Sequence, residues 1–253
     1  MNYKCKNFPS VHYTSLYESQ DRRKFMNGQF DFYGIRGHAY LTDRFVNIKD
    51  NFIIEGPGVA EIGNDIGIPI THINMMRNWY TTCNEEYAIF CEDDISFEII
   101  NYWNFTWQEF MQNLPPNWEC VQLMRMLDNY DAHSDQLLLD IRRGRYWGTH
   151  SIMKRSYVKR ILDKFAIGYN HYKFETYLFN GSYLIACPEN IMFGCFPDQS
   201  FVYNFPILIE NIEFPSVSSI KCSNSKKSHE HILNLWKTQG HSLDIKSVLS
   251  QVN

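Results

Sequence analysis

The plainest pattern in the chain is the run Tyr87-Ala88-Ile89-Phe90-Cys91, five apolar or aromatic residues without a polar break, ending abruptly in Glu92-Asp93-Asp94. The run is too short for a membrane span and rich in strand formers, so it predicts a strand buried on both faces. Alternation from Val11 to Leu16 predicts a second strand, and Phe32 to Ala39 a third with glycine-permitted turns. Cys120 to Met124 and Trp147 to Met153 also have strand character. Helical spacing places Ile73, Met76 and Tyr80 on one face of Ile70–Tyr80, and Trp107, Phe110 and Met111 on Phe105–Leu114, which Pro115-Pro116 stops. Ser156 to Phe165 reads as a helix capped by Ser156, with Val158, Ile161, Leu162 and Phe165 packed inward. In the last third, Tyr183–Cys187, Asn190–Phe193 and Phe201–Ile209 are strand candidates, and Leu233–Trp236 gives an apolar helix face.

Between these elements, Gly56 to Gly67 holds four glycines and a proline, the mark of an irregular, closely packed loop. Leu127 to Arg145 is polar with mixed charge and predicts a mobile loop. At 253 residues, with no repeats and no low-complexity linker, the default is one α/β domain spanning 1–253.

Composition adds little until charge is considered. The 44% hydrophobic and 21% charged residues are ordinary for a globular protein, and the 16% aromatic content suits carbohydrate or nucleotide sites as well as cores. A net charge of −4 argues against nucleic acid as a partner. The seven cysteines are odd in number and scattered without a C-x-x-C pair, which predicts reduced thiols and neither a disulfide frame nor a zinc site. With no membrane span and no secretory h-region, the expected location is the cytoplasm.

The candidate chemistry starts at the acids. They fall at the C-terminal end of the predicted strand, where open α/β sheets bind ligands. Three adjacent carboxylates need a cation, basic partners or water. A hard divalent ion, Mg2+ or Mn2+, suits oxygen ligands and a substrate's phosphates. Arg22 and Arg23 fall in or near the first turn of a helix, where they oppose its dipole. Either an anionic diphosphate or a neighbouring carboxylate would stabilise them. His72 sits near the start of another helix, as a capping or core residue or a ligand contact. His229-Glu230-His231 places its two imidazoles on different helix faces, a poor metal site.

The order of these features resembles the family 25 glycosyltransferases, the group of lipooligosaccharide and procollagen galactosyltransferases, and more closely their relatives in giant viruses and marine microbes. Tyr13–Leu16 with Asp21-Arg22-Arg23 resembles the family's first strand and Asp-Arg-Arg turn. Ile62-Gly63 followed by Thr71-His72 resembles its Gly-then-Ser-His helix, and Glu92-Asp93-Asp94 its metal motif. Trp118 to Leu123, Trp147 to Met153, and Phe201 to Leu208 leading to Ser216–Ile220 are similar to its later strands. The family's Pro-Val-Asp triplet has no counterpart. Glu189 is the first choice for that acid by spacing, Asp198 the second and Glu175 the third.

The resemblance implies a single domain of the GT-A type, an α/β fold with a mostly parallel sheet. Residues 1–100 would form the nucleotide-binding half and 101–240 the acceptor half. It implies a hexosyltransferase, inverting in stereochemistry, that takes a sugar from a nucleoside diphosphate, UDP first, to a hydroxyl of a glycan, a lipid-linked glycan or a protein. Mn2+ or Mg2+ would lie on Glu92 and Asp94. Ser15, Asp21, Arg22, Arg23, His72 and Asp93 would serve the donor, and Glu189, Asp198 or Glu175 would be the base. Two alternatives stand beside it. One is a non-catalytic binding module of the same fold. The other is a metal-dependent phosphodiesterase, which needs more clustered acids than the sequence shows.

Overall fold

The structure is a computed structural model that describes residues 2–45, 48–56, 66–124, 141–143, 148–174, 177–179, 182–184, 189, 192–193, 196, 198–203, 206–214 and 225–243. In chain order the elements begin with β1 (Val11–Leu16), α1 (Gln20–Tyr33), β2 (Gly37–Thr42), β3 (Ile53–Glu55), α2 (Gly67–Thr82), β4 (Tyr87–Glu92) and β5 (Ile95–Ser96). There follow α3 (Trp107–Gln112), β6 (Cys120–Gln122), β7 (Ile141–Arg143), β8 (Ser151–Lys154), α4 (Arg155–Phe165) and β9 (His171–Lys173). The last are β10 (Tyr177–Phe179), β11 (Ser182–Leu184), β12 (Ser200–Tyr203), β13 (Ile209–Glu210) and α5 (Ser225–Gln239).

A central sheet of seven strands runs β2-β1-β4-β8-β6-β12-β7. Its pairings give β1, β2, β4, β6 and β12 one direction and β7 and β8 the other, so the sheet is mostly parallel. Helices cover both faces, which explains the unbroken apolar run of β4. Successive strand residues point to opposite faces, and here both faces are core. Ile89 and Cys91 pack with Met26, Phe30 and Tyr33 of α1, Phe110 of α3 and Trp236 of α5. Ala88 and Phe90 pack with Ile73, Met76 and Trp79 of α2 and Val158, Ile161 and Phe165 of α4. The sequence-predicted α/β class with a mostly parallel sheet is therefore the observed one.

Several boundaries differ from expectation. Phe32 and Tyr33 belong to α1, which Gly34 ends in the left-handed conformation at φ 69°. The strand starts only at Gly37, where any Cβ would collide with the Phe30 ring. Gly34 thus stops the helix, and Gly37 allows a close crossing at the first residue of β2. Ser156 is not a cap, because α4 starts at Arg155 and the Ser156 hydroxyl donates to the Glu119 carboxylate at 3.0 Å. Ser19 stands at the N-cap of α1 without a capping side-chain bond. Ile141–Arg143, inside the stretch read as a mobile loop, is an edge strand paired to β12. Met192 and Phe193 lie in a π-helical turn instead of a strand, and Phe201–Ile209 breaks into β12 and β13. The glycine-rich loop lies almost wholly outside the described residues. Among the described residues no helix is long and apolar enough to cross a membrane.

His12, the second residue of β1, is buried against Trp79 and Phe90. Burial, with the neighbouring His38, pulls its pKa down to about 4 against the opposing pull of Glu85. The unfolded chain thus takes up a proton near pH 6.5 that the folded chain refuses until about pH 4. Stability from this group is complete above pH 6.5 and is lost as pH falls toward 4, by ~3 kcal/mol. Urea midpoints in EDTA should drop between pH 7 and pH 4.5, and His12→Gln should flatten that slope.

Candidate functional site

β4 delivers its acids to the C-terminal edge of the sheet, and the chain turns there. Glu92 ends the strand, while Asp93 and Asp94 form the turn into β5. β1 is parallel to β4, with Thr14 paired to Glu92, so the β1–α1 turn lies at the same edge. Arg22 of α1 is buried there. Its Nη1 donates to Asp93 Oδ1 at 2.6 Å and to Asp94 Oδ2 at 3.0 Å. Ser15 Oγ donates to Asp93 Oδ2 at 2.6 Å. Arg23 donates to Ser15 Oγ at 3.1 Å, to the Tyr17 carbonyl at 2.8 Å and to the Leu16 carbonyl, fixing the turn. Of the two stabilisers expected for the arginines, the structure shows the carboxylate for Arg22; Arg23 is held instead by Ser15 and two main-chain carbonyls.

α2 and β8 supply the opposite wall. His72 is 1% exposed, and its Nε2 stands 3.6 Å from Glu92 Oε1. Thr149 donates its hydroxyl to the same oxygen at 3.1 Å. His150 is 2% exposed, with Nε2 3.9 Å from Asp94 Oδ1. His150 Nδ1 meets the Thr149 hydroxyl at 3.3 Å, while among the described residues both ring nitrogens of His72 and Nε2 of His150 are buried without a hydrogen-bond partner. Buried polar atoms are seldom left so, and each such case asks for an explanation. Gly148, at φ 124°, swings the chain into this position. Its carbonyl accepts from Gln122 Nε2 at 2.7 Å, and its N–H donates to Glu189 Oε1 at 3.2 Å.

β13 closes the edge by pairing antiparallel with β5, Glu210 opposite Ile95. The Asn211 N–H donates to the Asp94 carbonyl at 2.5 Å, and Phe214 lies under the Arg22 guanidinium at 5.4 Å. The electrostatics follow from this crowding. Burial and the charges of Glu92 and Glu210 push the Asp94 carboxyl well up, against Arg22. Burial and Glu92 also push Glu210 up. Burial pushes Glu92 up too, but His72, His150 and the Thr149 hydroxyl outweigh it and hold Glu92 below the usual carboxylate range. Burial lowers His150 to about 4, so its imidazole is neutral at pH 7. Glu92 keeps 37% of its side chain open to solvent, against 7% for Asp93 and 10% for Asp94.

Ser15, Arg22, Arg23, His72, Glu92, Asp93 and Asp94 are thus brought together. Glu189 touches the rim through Gly148. Asp21 is exposed on α1 and makes none of these contacts. Asp198 is exposed in the turn before β12. β12 runs with β4, so Asp198 lies at the opposite edge of the sheet, away from the acids. Glu175 lies outside the described residues. His150 and Glu210 are the functional candidates that sequence reasoning did not select. The only signal for Glu210 was an acid at the end of an apolar strand.

A divalent cation can be tested against these donors. Asp93 is engaged by Arg22 and Ser15, whereas Glu92 Oε1, which accepts the Thr149 hydroxyl, and Asp94 Oδ1 each face an imidazole nitrogen that has no hydrogen-bond partner among the described residues. Carboxylate and imidazole together suit Mn2+ better than Mg2+, which favours an all-oxygen set. The donor chemistry fits the ion. Among the described residues these atoms do not draw into one tight group of three ligands.

No protein-family model and no curated protein matches the sequence. Among solved structures the chain is similar to the apo-form glycosyltransferase GlyE of Streptococcus pneumoniae TIGR4, at 7% identity and a TM-score of 0.38. The likeness covers 96% of this chain and 62% of that one, so the chain spans about three fifths of the neighbour's length. At that level it assigns neither family nor activity, and the site is read from its own residues.

Proposed function

We propose that this chain is a metal-dependent glycosyltransferase of the GT-A type, moving a sugar from a nucleoside diphosphate, UDP first, to an acceptor hydroxyl with inversion. The observation that carries the reading is the pair of buried imidazoles whose Nε2 atoms face Glu92 and Asp94 without a hydrogen-bond partner among the described residues, at the C-terminal edge of a mostly parallel sheet, the edge where such sheets bind ligands. It agrees with the resemblance to family 25. Glu92 and Asp94 would hold Mn2+, with His72 standing beside the first and His150 beside the second. Bound there, the ion would supply Lewis-acid charge for the leaving diphosphate.

The chain's own residues do the rest. Arg22 clamps Asp93 and Asp94 so that the Asp94 carboxylate is presented at a fixed angle. Ser15 and Arg23 hold the β1–α1 turn against which the nucleotide would lie. The acceptor oxygen forms its bond to the anomeric carbon as the bond from that carbon to the diphosphate oxygen breaks. Glu210 takes the hydroxyl proton. Its raised pKa suits a general base, and it interacts with both Glu92 and Asp94, whereas Glu189 is tied to the Gly148 amide. Glu210 therefore replaces Glu189 as first choice. The acceptor is a glycan, a lipid-linked glycan or a protein hydroxyl.

One observation favours a second reading, the non-catalytic module: Arg22 already places positive charge between Asp93 and Asp94. Nucleotide release from a panel of UDP-, GDP- and TDP-sugars with Mn2+ separates the two. One donor should turn over and stop in EDTA. Glu210→Gln should slow transfer by roughly 10²–10⁴-fold, and Glu189→Gln by less than about tenfold. Silence across the panel favours the module, and equal losses in the two variants remove Glu210's priority.

A further inference from the structure

We propose that His12, Cys83 and Glu85 form a separate metal site, for Zn2+, at the sheet edge opposite the acids. Among the described residues this is the group whose ligand atoms gather, one from each side chain, all within 4.8 Å of one another. The three come from different elements. His12 is near the start of β1, Cys83 caps the end of α2, and Glu85 lies two residues before β4. A metal there would tie the starts of two adjacent parallel strands to the helix that precedes the second.

The donors are zinc's own: a thiolate, an imidazole and a carboxylate, with a fourth position left to water. Zinc–ligand bonds of about 2.0–2.3 Å would need the three atoms to close in by roughly an ångström. The supports are in place. The Cys83 N–H bonds to the Trp79 carbonyl at 2.9 Å, and Arg155 holds the carbonyls of Tyr80, at 2.8 Å, and Cys83. Arg36 Nη2 reaches Glu85 Oε1 at 2.5 Å, and Trp79 Nε1 reaches Oε2 at 3.4 Å, so both would orient the carboxylate from outside the ligand shell. His38 stacks on the His12 ring, centroids 4.8 Å apart. The Ser10 hydroxyl, now shared between His12 Nε2 at 3.0 Å and Glu85 Oε2, would give way to the ion. The buried His12 imidazole is neutral at pH 7, its ligand form. The Cys83 thiol would release its proton to solvent on binding.

The experiment is cobalt substitution of the full chain, stripped with EDTA and titrated with Co2+. A near-ultraviolet thiolate-to-cobalt charge-transfer band should rise to one equivalent and be displaced by Zn2+. It should vanish in Cys83→Ser and persist in Asp94→Asn, which separates this site from the acids. Glu85→Gln should weaken Zn2+ by more than the roughly 10–100-fold that losing an outer-shell partner costs. No band in the wild-type protein overturns the proposal whatever the variants do, and so does a band that survives Cys83→Ser.

Discussion

Asp94→Asn should cut donor turnover by about 10³-fold while making the metal-free protein more stable. The loss follows from the role proposed for this carboxylate, since charge stabilisation by a bound ion is worth several kcal/mol in the transition state. The gain follows from its surroundings. Burial, Glu92 and Glu210 push the Asp94 pKa well up, so the folded state resists its ionisation. For an acid with a raised folded pKa, the stability is whole below the unfolded value near 4 and falls as pH rises through the folded one. At pH 7 the neutral amide removes that cost. A rise of a few degrees in the EDTA melting temperature, matched with lost turnover, marks a site kept for function at the expense of stability. A fall in both would mean that Asp94 is structural.

Arg22 should behave in the opposite way. It is 8% exposed in its side chain and contacts two carboxylates that are themselves 7% and 10% exposed. Removing one partner of a buried ion pair leaves uncompensated charge and costs about 3–5 kcal/mol. Arg22→Gln should therefore lower the melting temperature by roughly 6–20 °C, taking ~2–4 °C per kcal/mol at this size. Adding Asp93→Asn should return much of the loss, because the stranded charge goes with it. Arg36→Gln is the internal contrast, since Arg36 is 68% exposed and its pair with Glu85 is worth less than ~1 kcal/mol. Equal effects at Arg22 and Arg36 would contradict the buried clamp.

What the sequence made legible was local. β4 could be read because a strand with core on both faces must be apolar throughout, and its acids stood out by contrast. α2 and α4 could be read from their helical spacing. Ser15, Arg22 and His72 stood out beside the acids, but two further neighbours did not. His150 comes beside Asp94, and Glu210 close enough for its charge to act on the acids, only because β8 inserts antiparallel beside β4 and β13 pairs with β5. Those registers are set by contacts between residues far apart in the chain, and no short pattern encodes them. Gly34 shows a second limit. A left-handed glycine ends a helix or turns a strand equally well, and the Phe30 ring against Gly37 decides between them. The order of motifs led to Glu189, whereas the base proposed above, Glu210, is visible only from its place at the sheet edge. Spacing along the chain and position around the site are different quantities.

The most direct measurement is calorimetric binding of UDP, GDP and TDP with Mn2+ and in EDTA. A donor site built on Glu92 and Asp94 predicts that one nucleotide binds with Mn2+, that EDTA abolishes the heat, and that Asp94→Asn does the same in a folded protein. Binding of equal strength with and without the metal, or no binding of any nucleotide, would contradict it.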